Sequence, residues 1–285
     1  MGKYNVDSVA FKEVNKRFVE AHEAKHPLVA VHRGSPGGSI IENSVNAIVA
    51  AEAEGADIVE IDVIRSADGE FYVFHNGYER LYFGLERDIR ELSAAEIEDL
   101  QYQDFFRREA GYCGVEKLSE VLKSCSDTLL NIDRSWEYWD TLLNYLDCFE
   151  CSERVLLKAP PEAKALELLN AHPVKYPFMP ILKNWDELTF VCDYENINTM
   201  ALELLAEHSD DCFAEHDAVN SLRDEGFLVL LNALNLPNRK NLYLGWDDEV
   251  SVLQRPQDGW GKLVSRGADI IQTDWPSLLN KYLES

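Results

Sequence analysis

Eight short apolar segments recur along the chain, and helical segments separate most of them; this alternation limits the fold more than any other feature. We predict strands at 28–31, 57–62, 128–132, 154–157, 178–182, 199–205, 227–231 and 268–272. Strands that alternate with helices indicate a parallel sheet. Eight such units in about 260 residues predict an α/β fold of the (β/α)8 TIM-barrel type.

The segments between the strands show helical spacing of apolar residues. We predict helices at 7–24, 45–54, 136–149, 162–170, 185–194, 216–225, 260–266 and 276–283. The first is amphipathic and is expected to close one end of the core. An open doubly wound sheet is the alternative fold, but no Gly-x-Gly-x-x-Gly follows the first strand.

One long excursion, at 76–115, interrupts the alternation. It is aromatic and charged, and residues 93–96 form a capping box that opens a short helix. We interpret it as a small insertion within a single domain that covers residues 1–285. The chain is 46% hydrophobic, which is sufficient for one large core.

A predicted hairpin follows the second strand. Asp68 and Gly69 lie between alternating hydrophobic residues, which is a strong hairpin signal. Pairing about these two residues places opposite each other residues whose numbers sum to about 137, so we expect Asp62 opposite His75. Glu60 and Asp62 are two apart and share one face of their strand.

Barrel sites form at the C-terminal ends of the strands. The polar residues predicted there are His32, Arg33, Glu60, Asp62, Asp133, Arg134, Lys158, Glu203, Asn232, Thr273 and Asp274. A net-acidic collection with oxygen ligands suits Mg²⁺, Ca²⁺ or Mn²⁺. Zinc would more often recruit histidines. His22 and His26 match no motif and are expected on the surface.

The formal net charge of −24 argues against a nucleic-acid partner and against attraction to an anionic membrane. No apolar run reaches the roughly 18 residues that a membrane span requires. Without a recognisable signal peptide, we expect a cytoplasmic protein, or a secreted or periplasmic one if a leader preceded residue 1. Nothing in the sequence indicates an oligomeric state.

Six segments in order resemble the glycerophosphodiester phosphodiesterase family, of the PLC-like phosphodiesterase superfamily. They are 32–34, 42–44, 55–63, 68–75, 131–133 and 267–274. The resemblance implies a TIM barrel that hydrolyses a small-molecule glycerophosphodiester to an alcohol and glycerol phosphate, in lipid metabolism. It also implies one divalent cation, Mg²⁺ or Ca²⁺ with Mn²⁺ as a third option.

The resemblance also implies roles for individual residues. His32 and His75 would be the acid/base pair, with His32 as the base, and Arg33 would contact the phosphate. Lys158 is a further candidate phosphate contact, and Trp275 is a candidate wall of the substrate pocket. The implied metal ligands are Glu60, Asp62 and Asp133.

Five positions depart from the family pattern. Asp133 stands where the family usually has a glutamate, and Arg134-Ser135 and Trp136 depart from the usual Glu-x-Lys stretch. Asn76 replaces an aspartate, so we expect His75 to have a lower pKa than usual. Because these differences concern the substrate more than the chemistry, hydrolysis of another phosphodiester or of a lysophospholipid is an alternative. A glycoside hydrolase and a non-catalytic barrel that binds a phosphorylated ligand are the others.

Overall fold

The computed structural model describes residues 11–102 and 114–285. In this part of the chain the strands are β1 Leu28–Val31, β2 Ile58–Arg65, β3 Phe71–Val73, β4 Leu130–Asp133, β5 Val155–Ala159, β6 Pro177–Leu182, β7 Asn198–Thr199, β8 Ala201–Leu204, β9 Leu228–Asn232 and β10 Ile270–Thr273. The order β1-β2-β4-β5-β6-β8-β9-β10 returns to β1, and every pair is parallel. With β7 extending the start of β8, eight barrel strands close, which confirms the predicted (β/α)8 barrel.

Helices separate the barrel strands. In the described ranges they are α1 Lys12–Ala24, α2 Val45–Ala53, α3 Glu79–Phe83, α4 Ala94–Glu98, α5 Leu118–Ser124, α6 Trp139–Asp147, α7 Ala163–Ala171, α8 Trp185–Cys192, α9 His216–Asp224, α10 Asp248–Leu253, α11 Trp260–Arg266 and α12 Pro276–Leu283. The last two have the predicted bounds. The first four residues of the predicted helix 7–24 lie outside the described part of the chain.

The end of the barrel at which the strands begin, here called the floor, is closed by α1. Phe18 is fully buried among the first inward-facing residues of the strands, including Leu28, Ile58 and Ile270. Beside it, the amides of Asn15 and Asn198 exchange two hydrogen bonds of 3.1 and 2.7 Å. The predicted role of the N-terminal helix is therefore confirmed, and the opposite end, the mouth, carries the polar strand ends.

The hairpin of β2 and β3 forms, but its predicted register is wrong by one residue. Val63 pairs with Val73, and the backbone N–H of Phe74 donates to the carbonyl of Asp62. Phe74, not His75, thus lies opposite Asp62. The turn holds three residues rather than two, and Gly69 adopts the left-handed φ of 101° that such three-residue turns require.

The insertion after the hairpin packs against it as a small cluster of its own. Ile64, Tyr72 and Phe74 of the hairpin region are buried against residues contributed by the insertion, such as Ile89 and Ile97. The capping box that opens α4 has both of its reciprocal hydrogen bonds. Residues 103–113 of the predicted insertion lie outside the described residues.

Candidate active site at the barrel mouth

The inward-facing residues of the strands change from apolar at the floor to charged at the mouth. On β2 the series is Ile58, Glu60 and Asp62, and on β5 Leu156 is followed by Lys158. Because strand side chains alternate, residues two apart stay on the inner face and form successive layers. The upper layers line a cavity of about 160 Å³ whose volume fits a few waters or a phosphate-sized group.

Seven of the eight predicted site residues line this cavity. They are His32, Arg33, Glu60, Asp62, His75, Asp133 and Lys158. The eighth, Trp275, lines an adjoining outer groove of about 1050 Å³, in which His32, Arg33 and His75 also take part. The sequence-predicted residues therefore meet at one place, although Trp275 stands at the rim with 48% of its surface exposed.

Three carboxylates converge at the centre of the cavity. One oxygen from each of Glu60, Asp62 and Asp133 lies within 4.8 Å of the other two. Asp62 and Asp133 are register partners on the adjacent strands β2 and β4, which fixes their proximity. Glu60 and Asp62 are 1% and 2% exposed, so neither charge is solvated by bulk water.

The electrostatic environment separates the two β2 carboxylates. Burial and the neighbouring Asp62 raise the pKa of Glu60 to about 8. Burial alone would also raise the pKa of Asp62, but the Arg33 guanidinium and His75 lower it below the ordinary value. Asn43 adds a hydrogen bond of 3.0 Å from Nδ2 to Oδ2 of Asp62. The pair thus needs further positive charge before both groups ionise at neutral pH.

Lys158 is held between carboxylates. Its Nζ lies 2.7 Å from Oδ2 of Asp133 and 3.4 Å from Oε2 of Glu203. Burial opposes the charge of Lys158, but these two carboxylates outweigh it and raise the pKa of the ammonium group. The contacts make Lys158 a counter-ion of the acidic layer.

Arg33 follows the end of β1 in a left-handed conformation, with φ of 56°. Its Nε lies 2.9 Å from Oδ2 of Asp62, and its Nη1 donates to Glu42 over 3.0 Å. The guanidinium also lies over the ring of Tyr78, 5.1 Å from the centroid. Two carboxylates and an aromatic face therefore orient this cation at the cavity wall.

His32 is oriented by Asp274, which follows β10. The Nδ1 atom of His32 lies 2.9 Å from Oδ1 of Asp274. Burial opposes protonation of the ring, yet this hydrogen bond and the charge of Glu60 outweigh it, so the pKa of His32 is raised. If Nδ1 carries the proton that the carboxylate accepts, Nε2 keeps its lone pair for a substrate.

His75 has the opposite environment. Burial lowers its pKa to about 4, and the charges of Arg33 and Arg134 add to the effect. The expected decrease is therefore present, although burial and not the replacement at Asn76 is its largest cause. Asn76 instead accepts a hydrogen bond of 3.1 Å from Nε of Arg134, so two departures from the family pattern contact each other.

Buried acceptors on the inner face indicate what the cavity can hold. Oδ1 of Asn232 and Oε1 of Gln272 are buried without a hydrogen-bond donor among the described residues, and both side chains line the same cavity as the carboxylates. Buried acceptors normally have a donor. A hydrated divalent cation would supply water donors to them and charge to the carboxylates, so the residues fit a site for Mg²⁺ or Ca²⁺.

Sequence reasoning missed several residues that shape the site. Asn43 exchanges two hydrogen bonds with Asp62, one to its carboxylate and one from its backbone N–H. Gln272 lies two residues after Ile270, so the alternation along β10 could have identified it as inward-facing. Ser135, where the family has a lysine, accepts a hydrogen bond from Trp139 and supports the following helix instead.

The sequence matches one family model. Residues 178–283 match DUF4996, a domain of unknown function. No curated protein matches the chain. No helix of the described chain is both long and apolar enough to cross a membrane.

Solved structures with the same barrel include several glycerophosphodiester phosphodiesterases. A glycerophosphoryl diester phosphodiesterase from Parabacteroides distasonis is 16% identical, with a TM-score of 0.71 over 91% of this chain and 87% of that one. A phosphodiesterase from Oleispira antarctica in complex with the product sn-glycerol-3-phosphate is 19% identical, with a TM-score of 0.67 over 93% and 99%. The enzyme from Thermotoga maritima is 22% identical, with a TM-score of 0.63 over 90% and 99%. At these identities the similarity defines the fold.

Proposed function

We propose that this protein is a metal-dependent phosphodiesterase that hydrolyses a glycerophosphodiester to an alcohol and glycerol phosphate. The observation that carries the proposal is the convergence of Glu60, Asp62 and Asp133 in one cavity with His32 and His75. A cation site beside two imidazoles is the equipment that cleavage of an anionic ester needs. The barrel similarity to phosphodiesterases, one of them with bound glycerol phosphate, supports the same function.

Glu60, Asp62 and Asp133 would hold one divalent cation, Mg²⁺ or Ca²⁺ with Mn²⁺ as a third option. When bound, the cation would neutralise charge on a non-bridging phosphate oxygen and stabilise the pentacoordinate state. It would also favour the charged form of Glu60, whose pKa burial otherwise raises to about 8. All three proposed ligand atoms are carboxylate oxygens, which suits a hard cation.

His32 acts as the general base in this proposal. Asp274 holds its Nδ1 over 2.9 Å, so the free Nε2 can take a proton from the attacking hydroxyl or water. The Asp274 carboxylate then stabilises the imidazolium that forms, as the carboxylate of a catalytic triad does. Attack by a neighbouring glycerol hydroxyl, through a cyclic phosphate, and direct attack by water are both compatible with this arrangement.

His75 then acts as the general acid that protonates the leaving alkoxide. With a pKa of about 4 the ring is neutral in the free protein at neutral pH. An anionic phosphate bound beside it favours the protonated ring. We therefore expect substrate binding and proton uptake by His75 to be coupled.

Two arginines, Arg33 and Arg134, line the cavity that would hold the phosphate. Arg33 is compensated by Asp62 and Glu42, whereas the hydrogen bond that orients Arg134 goes to a neutral amide, Asn76. No carboxylate among the described residues lies within ion-pair distance of Arg134. The charge of Arg134 is therefore less compensated by carboxylates than that of Arg33, and we assign Arg134 as a phosphate contact beside Arg33, while Lys158 pairs with the carboxylates.

The outer groove would receive the leaving group. Its wall includes Trp275, Asn235 and Asn238, and its volume is about 1050 Å³. The amides and the indole face can hold a small hydrophilic alcohol, such as the headgroup of a deacylated phospholipid, while Leu236 and Leu278 in the same wall keep a lysophospholipid as the alternative. The bulk charge of −24 makes local cations necessary to attract such an anion.

A panel of glycerophosphodiesters, a lysophospholipid and an artificial phosphodiester, each assayed with Mg²⁺, Ca²⁺ and Mn²⁺ in turn, tests this proposal. We expect release of glycerol phosphate that a chelator abolishes and one of these cations restores. Hydrolysis of a glycoside that survives the chelator would overturn the proposal in favour of a glycoside hydrolase. Phosphodiester binding without turnover would leave a non-catalytic barrel.

A further inference from the structure

A second group of metal-type ligands lies at the floor, at the opposite end of the barrel from the carboxylates. His22 belongs to α1, His26 follows that helix, and Asp269 immediately precedes β10. Together they form one of two described clusters in which three ligand atoms lie within 4.8 Å of one another. The cluster plays no part in the proposed hydrolysis.

The three ligand atoms form a nearly equilateral triangle. Nε2 of His22 lies 3.0 Å from Nδ1 of His26 and 3.2 Å from Oδ1 of Asp269, and the third side is 3.5 Å. In a tetrahedral zinc site with bonds of about 2.0–2.1 Å, ligand atoms are separated by about 3.3 Å. The point equidistant from these three atoms is about 1.9 Å from each, so an ion slightly outside their plane has zinc-like bond lengths.

Two imidazole nitrogens and one carboxylate oxygen share few protons at this triangle. If both ring nitrogens carry protons, two donors face each other at 3.0 Å between His22 and His26. If only one does, its N–H can donate to the other ring or to Asp269, whose Oδ1 also accepts from Arg223. A cation at the centre of the triangle needs no proton between these atoms, because each of the three then acts as an electron-pair donor to the same ion.

The surroundings hold the carboxylate in place and leave the rings accessible. Oδ2 of Asp269 accepts the backbone N–H of Val229 over 2.9 Å, and Arg223 donates from Nε to both oxygens over 3.1 Å. The side chains of His22 and His26 are 26% and 42% exposed, while that of Asp269 is 2% exposed. An ion can therefore enter from solvent and keep a water as its fourth ligand, as open zinc sites do.

We propose that His22, His26 and Asp269 form a zinc site that fastens α1 to the floor of the barrel. His22 and His26 lie at or just after the end of α1, and Asp269 precedes β10 of the barrel. One ion would therefore link α1 to the barrel strands. The positive charge of Arg223 beside Asp269 lowers the affinity, which favours a site that exchanges its ion. Zinc binding here would stabilise the fold rather than take part in the reaction.

The test uses Zn²⁺ and Co²⁺ alone as probes, on the full chain in a background with Glu60→Gln and Asp62→Asn. These two substitutions remove ligands at the mouth, so a remaining site is observed separately. We expect one equivalent of Co²⁺ to give the intense visible absorption of four-coordinate cobalt, and Zn²⁺ to displace it and raise the melting temperature. His22→Gln combined with His26→Gln should abolish all three effects.

Two matched controls locate the ion. His216→Gln changes an exposed histidine on α9, and Cys148→Ser changes the exposed cysteine of the Cys148-x-x-Cys151 pair; both variants should retain the cobalt spectrum. Binding that survives the double histidine substitution, or that disappears in Cys148→Ser, would overturn the floor site. A folded double variant, shown by an unchanged circular dichroism spectrum, guards against simple loss of structure.

Discussion

The floor and the mouth of the barrel both carry acidic residues next to strands, yet the two ends treat them differently. At the floor, Asp57 and Asp269 each end a Gly-Ala-Asp sequence before a strand. Each accepts a backbone N–H from the start of a neighbouring strand, Val29 for Asp57 and Val229 for Asp269. A basic side chain completes each pair, Lys25 at one and Arg223 at the other.

At the mouth the carboxylates lie together instead of each pairing with the start of a strand. Glu60, Asp62 and Asp133 converge on one another, and buried acceptors of Asn232 and Gln272 stand beside them without protein donors in the described chain. The same residue type therefore stabilises strand starts at the floor and concentrates negative charge at the mouth. In the proposed function, this contrast separates structural carboxylates from those that would hold the metal, and the following experiments test it.

The largest effect is expected at the mouth from Asp62→Asn. The change removes a charged ligand while keeping a side chain that still contacts Asn43 and Arg33, so we expect a loss of activity of about 10⁴-fold or more, since several kcal/mol of charge stabilisation depend on the bound cation. Steady-state kinetics at saturating Mg²⁺ or Ca²⁺ measures the loss. Near-normal turnover would show that the carboxylate cluster is structural.

The histidines come next. His32→Ala and His75→Ala should each lower kcat by about 10²–10⁴-fold, because each removes one proton-transfer group. His216→Ala, on an exposed helix surface, is the matched control and should keep full activity. If either active-site variant retains wild-type kcat with normal metal dependence, the assigned acid/base pair is wrong.

At the floor, Asp57→Ala should affect stability and not catalysis. It leaves the N–H of Val29 without its acceptor and Lys25 without its partner, which should cost about 1–3 kcal/mol of unfolding free energy. Urea denaturation measures the loss, and kcat at a temperature where the variant is folded should stay unchanged. A large fall in kcat for this variant would remove the distinction between the two ends.

The pH dependence of metal-free protein probes Glu60. Its folded pKa of about 8 lies above the ordinary 4.5, so its stabilising contribution is present below pH 4.5 and is lost as the pH rises through 8. Glu60→Gln should therefore be more stable than the wild type at pH 8–9, by an amount on the order of a few kcal/mol that shrinks towards pH 5. A divalent cation should reduce the difference by stabilising the wild type.

The smallest effect is expected at the rim. Trp275→Ala removes a half-exposed wall of the outer groove, so KM should rise a few-fold while kcat changes little, because a rim contact contributes similarly to ground-state and transition-state binding. Comparing diesters with small and bulky alcohols measures the contribution. An equal response for all of them would indicate that the leaving group does not contact this indole.

The strands and helices that show a regular spacing of apolar residues could be predicted from the sequence. The number of residues in the hairpin turn could not. The apolar segments of the sequence correctly predicted the barrel strands. Helices α11 and α12 have the predicted bounds because Gly267 ends the first and Pro276 starts the second. The predicted register of the hairpin was wrong because Asp-Gly is compatible with both two-residue and three-residue turns. In the structure the hydroxyl of Ser66 accepts a hydrogen bond from the backbone N–H of Glu70, which belongs to the three-residue turn.

Helix α10 escaped prediction for a different reason. It is six residues long, and its inward-facing residue is Asp248, which accepts hydrogen bonds from Trp260, Thr273 and the backbone of Asp274. Burial raises the pKa of this carboxyl to about 7. A polar residue at the buried position hides the helical pattern, and the support that it gives to Asp274, and so to His32, depends on contacts made by distant parts of the chain.

The insertion carried by the hairpin has a consequence for how such barrels diversify. Tyr78, the residue before α3, lies beside the Arg33 guanidinium, with its ring centroid 4.8 Å from that of His75, while buried residues of the insertion such as Ile89 and Ile97 pack on the hairpin. Exchange of this excursion between homologous barrels would replace one side of the pocket and leave the acidic layer untouched. If the proposed function holds, we expect such an exchange to change the alcohol that the barrel accepts while Glu60, Asp62 and Asp133 stay in place.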